Sequence, residues 1–341
     1  MTGEKSRIEE IIDKINSKNA KKVALLLVVG FAFYHAVLHI KFGTNSCSWL
    51  LSDGRYKADQ EWQPYGCMLH FYTKIDTRRC LRYIGYYGSE SHFIFMGDTR
   101  ISELYTTFVE EITQDENNGL KTINFTHVDQ KLKIKVEFIW VPTISKMMIE
   151  KFRELQLFSK PPSVIIVGSA LWPIVMSNGS LSMIEEYQRN LSGLVQPINK
   201  LNEKKTRTIW ALQEPVDQEK LKPEYHMVTN EQIDLYNKAA IEVLSQSAAH
   251  LWWSKRLVGQ GMVTESPDGI HLAKKALKHD TQILLNMYCN DYMNFNDGTC
   301  CSSVETRTTL QIVTFAILAC CNCGFNDHTQ SLYALSRKTS I

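Results

Sequence analysis

The sequence predicts an α/β fold: a parallel sheet with helices on both faces, preceded by one transmembrane helix. Three observations carry this expectation. From about residue 92 onward, short apolar runs alternate with stretches whose apolar residues recur every three or four positions, the patterns of buried strands and amphipathic helices. Residues 164–167 are apolar without a break, as in a strand covered on both faces. Residues 23–40, VALLLVVGFAFYHAVLHI, form an apolar run long enough to cross a bilayer.

Taken in order, the chain opens on a polar segment, residues 1–22, with Ile8, Ile11, Ile12 and Ile15 at helical spacing. That stripe fits a membrane surface or a short solvated helix with a partner-facing side. In the apolar run that follows, His35 and His39 fall near the far end, where an interface hydrates them. Lys14, Lys18, Lys21 and Lys22 lie on its amino side, against Lys41 and Arg55 beyond it. The positive-inside rule therefore keeps residues 1–22 cytosolic and sends residues 41–305 into a lumen. A cleaved signal peptide is the rival reading. The run is long for one and no clear small-residue cleavage site follows, which favours an uncleaved anchor.

Two features support the luminal address independently. Sequons begin at Asn124, Asn178 and Asn190, and they are usable only in a secretory compartment. Cys47, Cys67, Cys80, Cys289, Cys300 and Cys301 form an even set, clustered at the two edges of the luminal segment. Disulfides tying down the ends are expected, in a pairing the sequence does not specify. Metal binding is the alternative, but no C-x-x-C pair appears there and adjacent Cys300 and Cys301 are poor ligand spacing. No metal is expected. The net charge of +2 across 341 residues offers no basic surplus for nucleic acid. At this length, with 44% hydrophobic residues, one sizeable domain plus extras is affordable.

The core is organised around residues 92–112, HFIFMGDTRISELYTTFVEEI. Phe93, Ile94, Phe95 and Met96 read as a buried strand, Gly97, Asp98 and Thr99 as a tight turn. Ile101, Leu104, Tyr105, Phe108, Val109 and Ile112 then give a helix its spacing. A hydroxyl at such a turn stands at the carboxyl end of the sheet beside helix N-terminal N–H groups, which stabilise an oxyanion. The plain alternative is that Asp98 and Thr99 only cap the helix. Further strands are expected over 133–141, 163–167 and 208–212, and amphipathic helices over 182–201 and 231–247. Alternation of this kind puts a site at the carboxyl ends of the strands, where Gly97 and Gly168 both fall. Gly168 is either an oxyanion donor through its N–H or a glycine that the turn needs for its backbone.

The second half of a site lies at Asp268-Gly269-Ile270-His271. Among the ten histidines only His271 has an aspartate three residues before it. A nucleophile needs a base within reach and a third group that fixes the tautomer of that base. Asp268 and His271 on one turn supply both, with Thr99 as the nucleophile; a loop histidine with a local hydrogen bond is the alternative. Trp62, Trp172, Trp252 and Trp253 are candidates for stacking on a sugar, against ordinary interior packing. Arg100 is a candidate partner for an anionic substrate, against a surface salt bridge. Residues 306–341 include an apolar run at 309–321, barely half of what a membrane helix needs, and then a polar tail. Cys320, Cys321 and Cys323 are palmitoylation candidates if cytosolic, and otherwise plain thiols.

Gly97-Asp98-Thr99-Arg100 with Asp268-x-x-His271 resembles the SGNH/GDSL-type esterases and acetyltransferases. More narrowly, Trp62-Gln63-Pro64-x-x-Cys67 and Gly168-Ser169-Ala170-Leu171-Trp172 are similar to the luminal domain of animal sialic acid O-acetyltransferases. Plant cell-wall polysaccharide O-acetyltransferases share the tryptophan–proline–cysteine segment. The resemblance spans about residues 46–301, with the membrane segment matching in position. It implies an SGNH-hydrolase-like sheet and transfer of an acetyl group from acetyl-CoA, as co-substrate with no bound cofactor, to a hydroxyl of CMP-sialic acid or a sialylated glycan, in a lumen bounded by the Golgi membrane. It also implies a triad of Thr99, His271 and Asp268. Two departures matter: Thr99 stands where the family has serine, and Ala170 stands where many SGNH proteins outside this branch have an oxyanion asparagine. In the related acetyltransferases a multispan region follows, and the second membrane segment here reads as truncated before it. A carbohydrate O-acetylesterase and a catalytically idle glycan-binding module are the alternatives.

Overall fold

The computed structural model describes residues 22, 24–34, 47–58, 60–87, 90–113, 125–290, 292–293 and 299–301. Within the expected span, residues 24–34 are helical, with Leu25, Leu26 and Phe31 exposed. Residues 1–21, 23 and 35–46 lie outside the described residues, as do Asn124 and residues 302–341 with the second apolar run and its cysteines. Among the described residues no helix is long and apolar enough to cross a membrane.

The sheet that positions the site has six strands. They are β3 (Ser91–Gly97), β4 (Phe125–Asp129), β5 (Ile134–Trp140), β6 (Val164–Gly168), β7 (Arg207–Ala211) and β8 (His250–Trp252), in the order β4-β5-β3-β6-β7-β8. All neighbours pair in parallel except β4, which runs antiparallel to β5 at the edge. A separate hairpin, β1 (Gly54–Tyr56) with β2 (Trp62–Pro64), precedes it. The expected parallel sheet is present, with an antiparallel edge strand that the sequence pattern did not announce. Three-residue β8 was missed as well, being too short to show a period.

Side-chain alternation along β3 explains the two layers. Phe93 and Phe95 join one apolar cluster and Ile94 and Met96 the other, because successive residues of a strand face opposite ways. The first cluster is covered by α2 (Lys74–Tyr86), α3 (Thr99–Ile112) and α9 (Lys274–Cys289). The second is covered by α4 (Lys146–Leu157), α6 (Ile184–Glu203) and α7 (Asn230–Leu244). Helices α1 (Ser48–Leu51), α5 (Leu171–Met176) and α8 (Trp253–Gly261) are short. In α7 the Thr229 side chain accepts from the Gln232 N–H while Gln232 returns a bond to the Thr229 backbone, a capping box that fixes its start.

Helix α9 is buried almost all round, which is why amphipathic spacing did not reveal it. Its polar side chains serve as rungs. Gln282 and Asn286 bond both the N–H and the C=O of Tyr72 and His70, at 2.6–2.9 Å. Tyr72 donates its hydroxyl to Asn290 at 2.7 Å. Three disulfides, Cys47–Cys301, Cys67–Cys300 and Cys80–Cys289, join the same edges. All six of these cysteines are thus paired, as expected, and the structure supplies the connectivity.

Candidate active site

Strand β3 ends at Gly97, and α3 begins at Thr99 with Asp98 as its cap. Asp98 Oδ1 accepts from the Arg100 N–H at 3.1 Å, satisfying one of the helix's free donors. Gly97 pairs with Gly168 at the ends of β3 and β6. A Cβ on Gly97 would sit 2.3 Å from the Gly168 carbonyl oxygen, so only glycine lets these two strands finish side by side. The chain leaves β3 toward β5 on one side and returns to β6 on the other. The Thr99 turn therefore lies where the strand order reverses, the place where open α/β sheets leave a crevice.

Asp268 and His271 lie on the loop between α8 and α9. Asp268 Oδ1 accepts from the backbone N–H groups of Ile270 and His271 at 3.0 and 2.8 Å, and its Oδ2 lies 2.6 Å from His271 Nδ1. With Nδ1–H donated to a carboxylate, Nε2 is left as the basic nitrogen. Gly269 makes this turn possible. Its φ is +85°, and a Cβ there would meet the Asp217 carbonyl oxygen at 2.5 Å. Ser266 closes the loop, accepting from the Gly269 N–H at 2.8 Å and donating to the His271 carbonyl at 2.7 Å.

Thr99, Asp268 and His271, separated by more than 160 residues in sequence, line one cavity of about 180 Å³. Trp172 and Tyr225 line it too. The remaining candidates fall elsewhere. Trp62 and Trp252 are buried in the core, and Trp253 is exposed on a separate groove with Asp234 and Arg256. Of the four tryptophans proposed for sugar stacking, only Trp172 meets the site. Gly168 is not on the cavity wall. A Cβ there would meet Ile101 Cδ1 at 2.8 Å, so close packing alone demands glycine.

Arg100 corrects an expectation. Its side chain is 1% exposed and does not line the cavity. Nε donates to the Ile270 carbonyl at 2.8 Å, Nη1 to the Glu214 carbonyl at 2.6 Å, and Nη2 to the Pro215 carbonyl at 3.4 Å. Arg100 thus ties the loop that carries His271 to the helix that starts at Thr99. Sequence reasoning took a long cation beside a turn for a surface group. It also missed the company Arg100 keeps. Glu214, Lys255 and Asp280 are buried with it, Lys255 touching Glu214 and lying 3.6 Å from Asp280. Single charges scattered over a loop and two helices carry no motif.

Two aspartates of the site are pushed opposite ways. Burial raises the Asp98 carboxyl to about 6, although Arg100 and Lys255 oppose the shift. At Asp268 partial burial also pushes upward, but the backbone and ring of His271 outweigh it and hold the carboxyl below its ordinary range. Asp268 therefore stays ionised beside the imidazole, as an orienting group must. Glu103, one helical turn after Thr99, is raised by burial and eased back by His271; its Oε2 accepts weakly from the Leu272 N–H at 3.5 Å.

Two sequons fall among the described residues. Asn178 is exposed in a turn at φ +49°. Asn190 is half-buried on α6, and its side-chain amide donates to the Ile144 carbonyl at 2.8 Å.

The hydroxyl at the first turn of the helix after β3 and the Asp-x-x-His turn ahead of α9, the last described helix, stand as the sequence motifs led one to expect of an SGNH/GDSL-like α/β fold. The chain is 33% identical over 339 residues to the N-acetylneuraminate (7)9-O-acetyltransferase of Danio rerio, in an alignment covering 94% of this chain and 41% of that protein. The resemblance to sialic acid O-acetyltransferases seen in the motifs thus holds along nearly the whole chain, which spans about two-fifths of the length of that curated relative. No family model matches. Solved structures similar in part include a GDSL-like lipase from Bacteroides thetaiotaomicron (11% identity, 62% of this chain and 98% of that one, TM-score 0.39). Another is an acetylxylan esterase from Geobacillus stearothermophilus (11% identity, 64% and 99%, TM-score 0.38).

Proposed function

We propose that this chain is an O-acetyltransferase that moves an acetyl group from acetyl-CoA to a hydroxyl of sialic acid, with CMP-sialic acid as the acceptor. The observation that carries the reading is the meeting of Thr99, His271 and Asp268 on one cavity, with the imidazole already oriented by the carboxylate at 2.6 Å. His271 Nε2 takes the proton from Thr99 Oγ1 as that oxygen attacks the thioester carbonyl carbon. The tetrahedral oxyanion is held by the backbone N–H at Thr99, at the first turn of α3. It collapses with loss of the coenzyme A thiolate, which leaves with the proton from His271. His271 then deprotonates a sugar hydroxyl, which attacks the acetyl-threonine carbonyl; the O-acetylated sugar is released as Thr99 Oγ1 leaves and takes back that proton from His271. The kinship with a named N-acetylneuraminate acetyltransferase supports the acceptor.

The same reading places the domain in the Golgi lumen behind a membrane anchor at residues 23–40. Three disulfides among the described residues fit an oxidising compartment. Incubating the full chain with labelled acetyl-CoA and CMP-sialic acid tests the proposal. Label should pass to the sugar in the native chain and not in His271→Ala. Release of free acetate without transfer would mark an esterase instead, and sugar binding without turnover in both the native chain and Thr99→Ser would mark an idle module.

A further inference from the structure

Part of the cavity wall, Lys222, Glu224 and Tyr225, comes from the segment after β7, and two lysines of that segment are used differently. Lys220 is fully engaged: its ammonium donates to the Thr264 and Ser266 carbonyls at 2.5 and 2.9 Å and lies 3.6 Å from Asp217. It ties the loop to the segment that leads into Asp268. Lys222, two residues on, lines the cavity and is exposed. Among the described residues its side chain has no hydrogen bond or ion pair. Its placement is nonetheless firm. The Asp217 N–H donates to the Gly269 carbonyl at 3.0 Å, the Lys222 carbonyl accepts from the Tyr225 N–H at 2.9 Å, and Pro223 follows directly. The loop that carries Lys222 is therefore braced against the turn that carries His271.

We propose that Lys222 is the residue that reads the acceptor's negative charge: its ammonium meets the carboxylate of an acidic sugar while the sugar's hydroxyl arm reaches Thr99 and His271. This rests on the acyl-transfer reading above and names how that site selects its acceptor. The other charged groups on the wall agree with it. Glu224 is an acceptor for sugar hydroxyls, which are donors, and Asp268 is already occupied by His271. Trp172 and Tyr225 offer apolar faces to the C–H side of a ring. A site with one free cation, one free carboxylate and two aromatic rings suits a ligand with one carboxylate and several hydroxyls better than a neutral sugar, which leaves the ammonium without a partner.

The test reads binding, not turnover. The full chain, without acetyl donor, is titrated with N-acetylneuraminate and with its methyl ester, which keeps the sugar ring and its hydroxyls and removes the charge. The native chain should prefer the acid by roughly ten- to a hundredfold, the size of a charge-assisted hydrogen bond. Lys222→Gln should lose that preference, and Lys222→Arg should retain most of it. An unchanged preference in Lys222→Gln, or none in the native chain, overturns the proposal. Because no chemistry is involved, the two readings fail separately. Charge preference without acetyl transfer condemns Thr99 as nucleophile and leaves Lys222 standing, whereas transfer without charge preference does the reverse.

Discussion

The two ends of the sheet are held together by different means. Where the strands finish, the site is assembled from a turn, a loop and one buried arginine, by hydrogen bonds between 2.6 and 3.4 Å. Along α9 and toward its carboxyl end, the amino-terminal strap is fixed by side-chain amide rungs and three disulfides that close loops of more than 200 residues. The strap has little regular structure of its own, so its backbone groups borrow partners and its ends are joined covalently. The site cannot be held that way, because a disulfide fixes two Cα positions and not the direction of an imidazole. The lesson is a division of labour, in which covalent links secure attachment and buried polar contacts secure orientation.

Damage at the orienting end should therefore appear in rate, and damage at the stapled end in stability. The largest effect is expected at the proposed base, His271. His271→Ala should abolish acetyl transfer, and Asp268→Asn should lower it by roughly four orders of magnitude, about 5.5 kcal/mol of barrier, through loss of the tautomer. Both variants should melt close to the native temperature, because Asp268 and His271 are each about one-third exposed. Full activity in a folded His271→Ala chain would end the catalytic assignment.

Opening Cys80–Cys289 by a double serine substitution sharpens the contrast from the other side. It joins α2 to the end of α9 and is fully buried. Its loss should cost about 2–5 kcal/mol of stability. The transfer rate of the molecules still folded should stay within a few-fold of native. A chain as stable without the bridge as with it would show that the amide rungs alone fasten the strap.

Thr99→Ser comes next. On the proposed mechanism, threonine keeps the nucleophilic oxygen but adds a methyl on the same carbon, which restricts its rotamers and would compete with a thioester for space in a small cavity. A slight misplacement of a nucleophile costs about a hundredfold. Serine should raise transfer by roughly ten- to a thousandfold, on the order of 1.4–4 kcal/mol. A serine form no faster than the native chain, assayed under the same conditions, means that the cavity has adjusted to the methyl group.

How much of this was legible depended on whether a group announces itself locally. The strand–turn–helix at Gly97–Thr99 did, through apolar spacing and a cap. So did Asp268 and His271, which sit on one turn, and the six cysteines, through number and position. Their pairing did not, since 47 with 301 and 67 with 300 are adjacent only in the fold. Nor did α9, whose burial on all sides erased the period that betrays a helix, or the edge strand β4. Arg100 was noticed and misread. Its partners are carbonyl oxygens of residues 214, 215 and 270, and a backbone acceptor more than a hundred residues away leaves no trace in sequence. Lys255 and Asp280 stayed silent for the same reason.

The smallest expected effect tests whether burial at the orienting end has a cost of its own, and Asp98 is the place to look. Its side chain is fully buried, and one of its oxygens, Oδ2, has no hydrogen-bond partner among the described residues. Burial holds its folded-state carboxyl at about 6, against 3.8 for the free group. The folded chain therefore binds this proton more tightly than the unfolded chain. Stability from this group is present at low pH and declines as pH rises from about 4 through about 6, after which the loss is complete. A shift of about two units corresponds to roughly 3 kcal/mol. Asp98→Asn keeps an oxygen for the Arg100 N–H and removes the titration. Asp280, raised to about 7 by burial, adds a slope of the same sign to both chains. Unfolding free energies measured between pH 4 and 7 should thus fall more steeply in the native chain than in Asp98→Asn. Equal slopes would mean that Arg100 and Lys255 neutralise the Asp98 charge completely. The orienting end would then be held without electrostatic cost, and the contrast with the stapled end would reduce to covalent against non-covalent contacts.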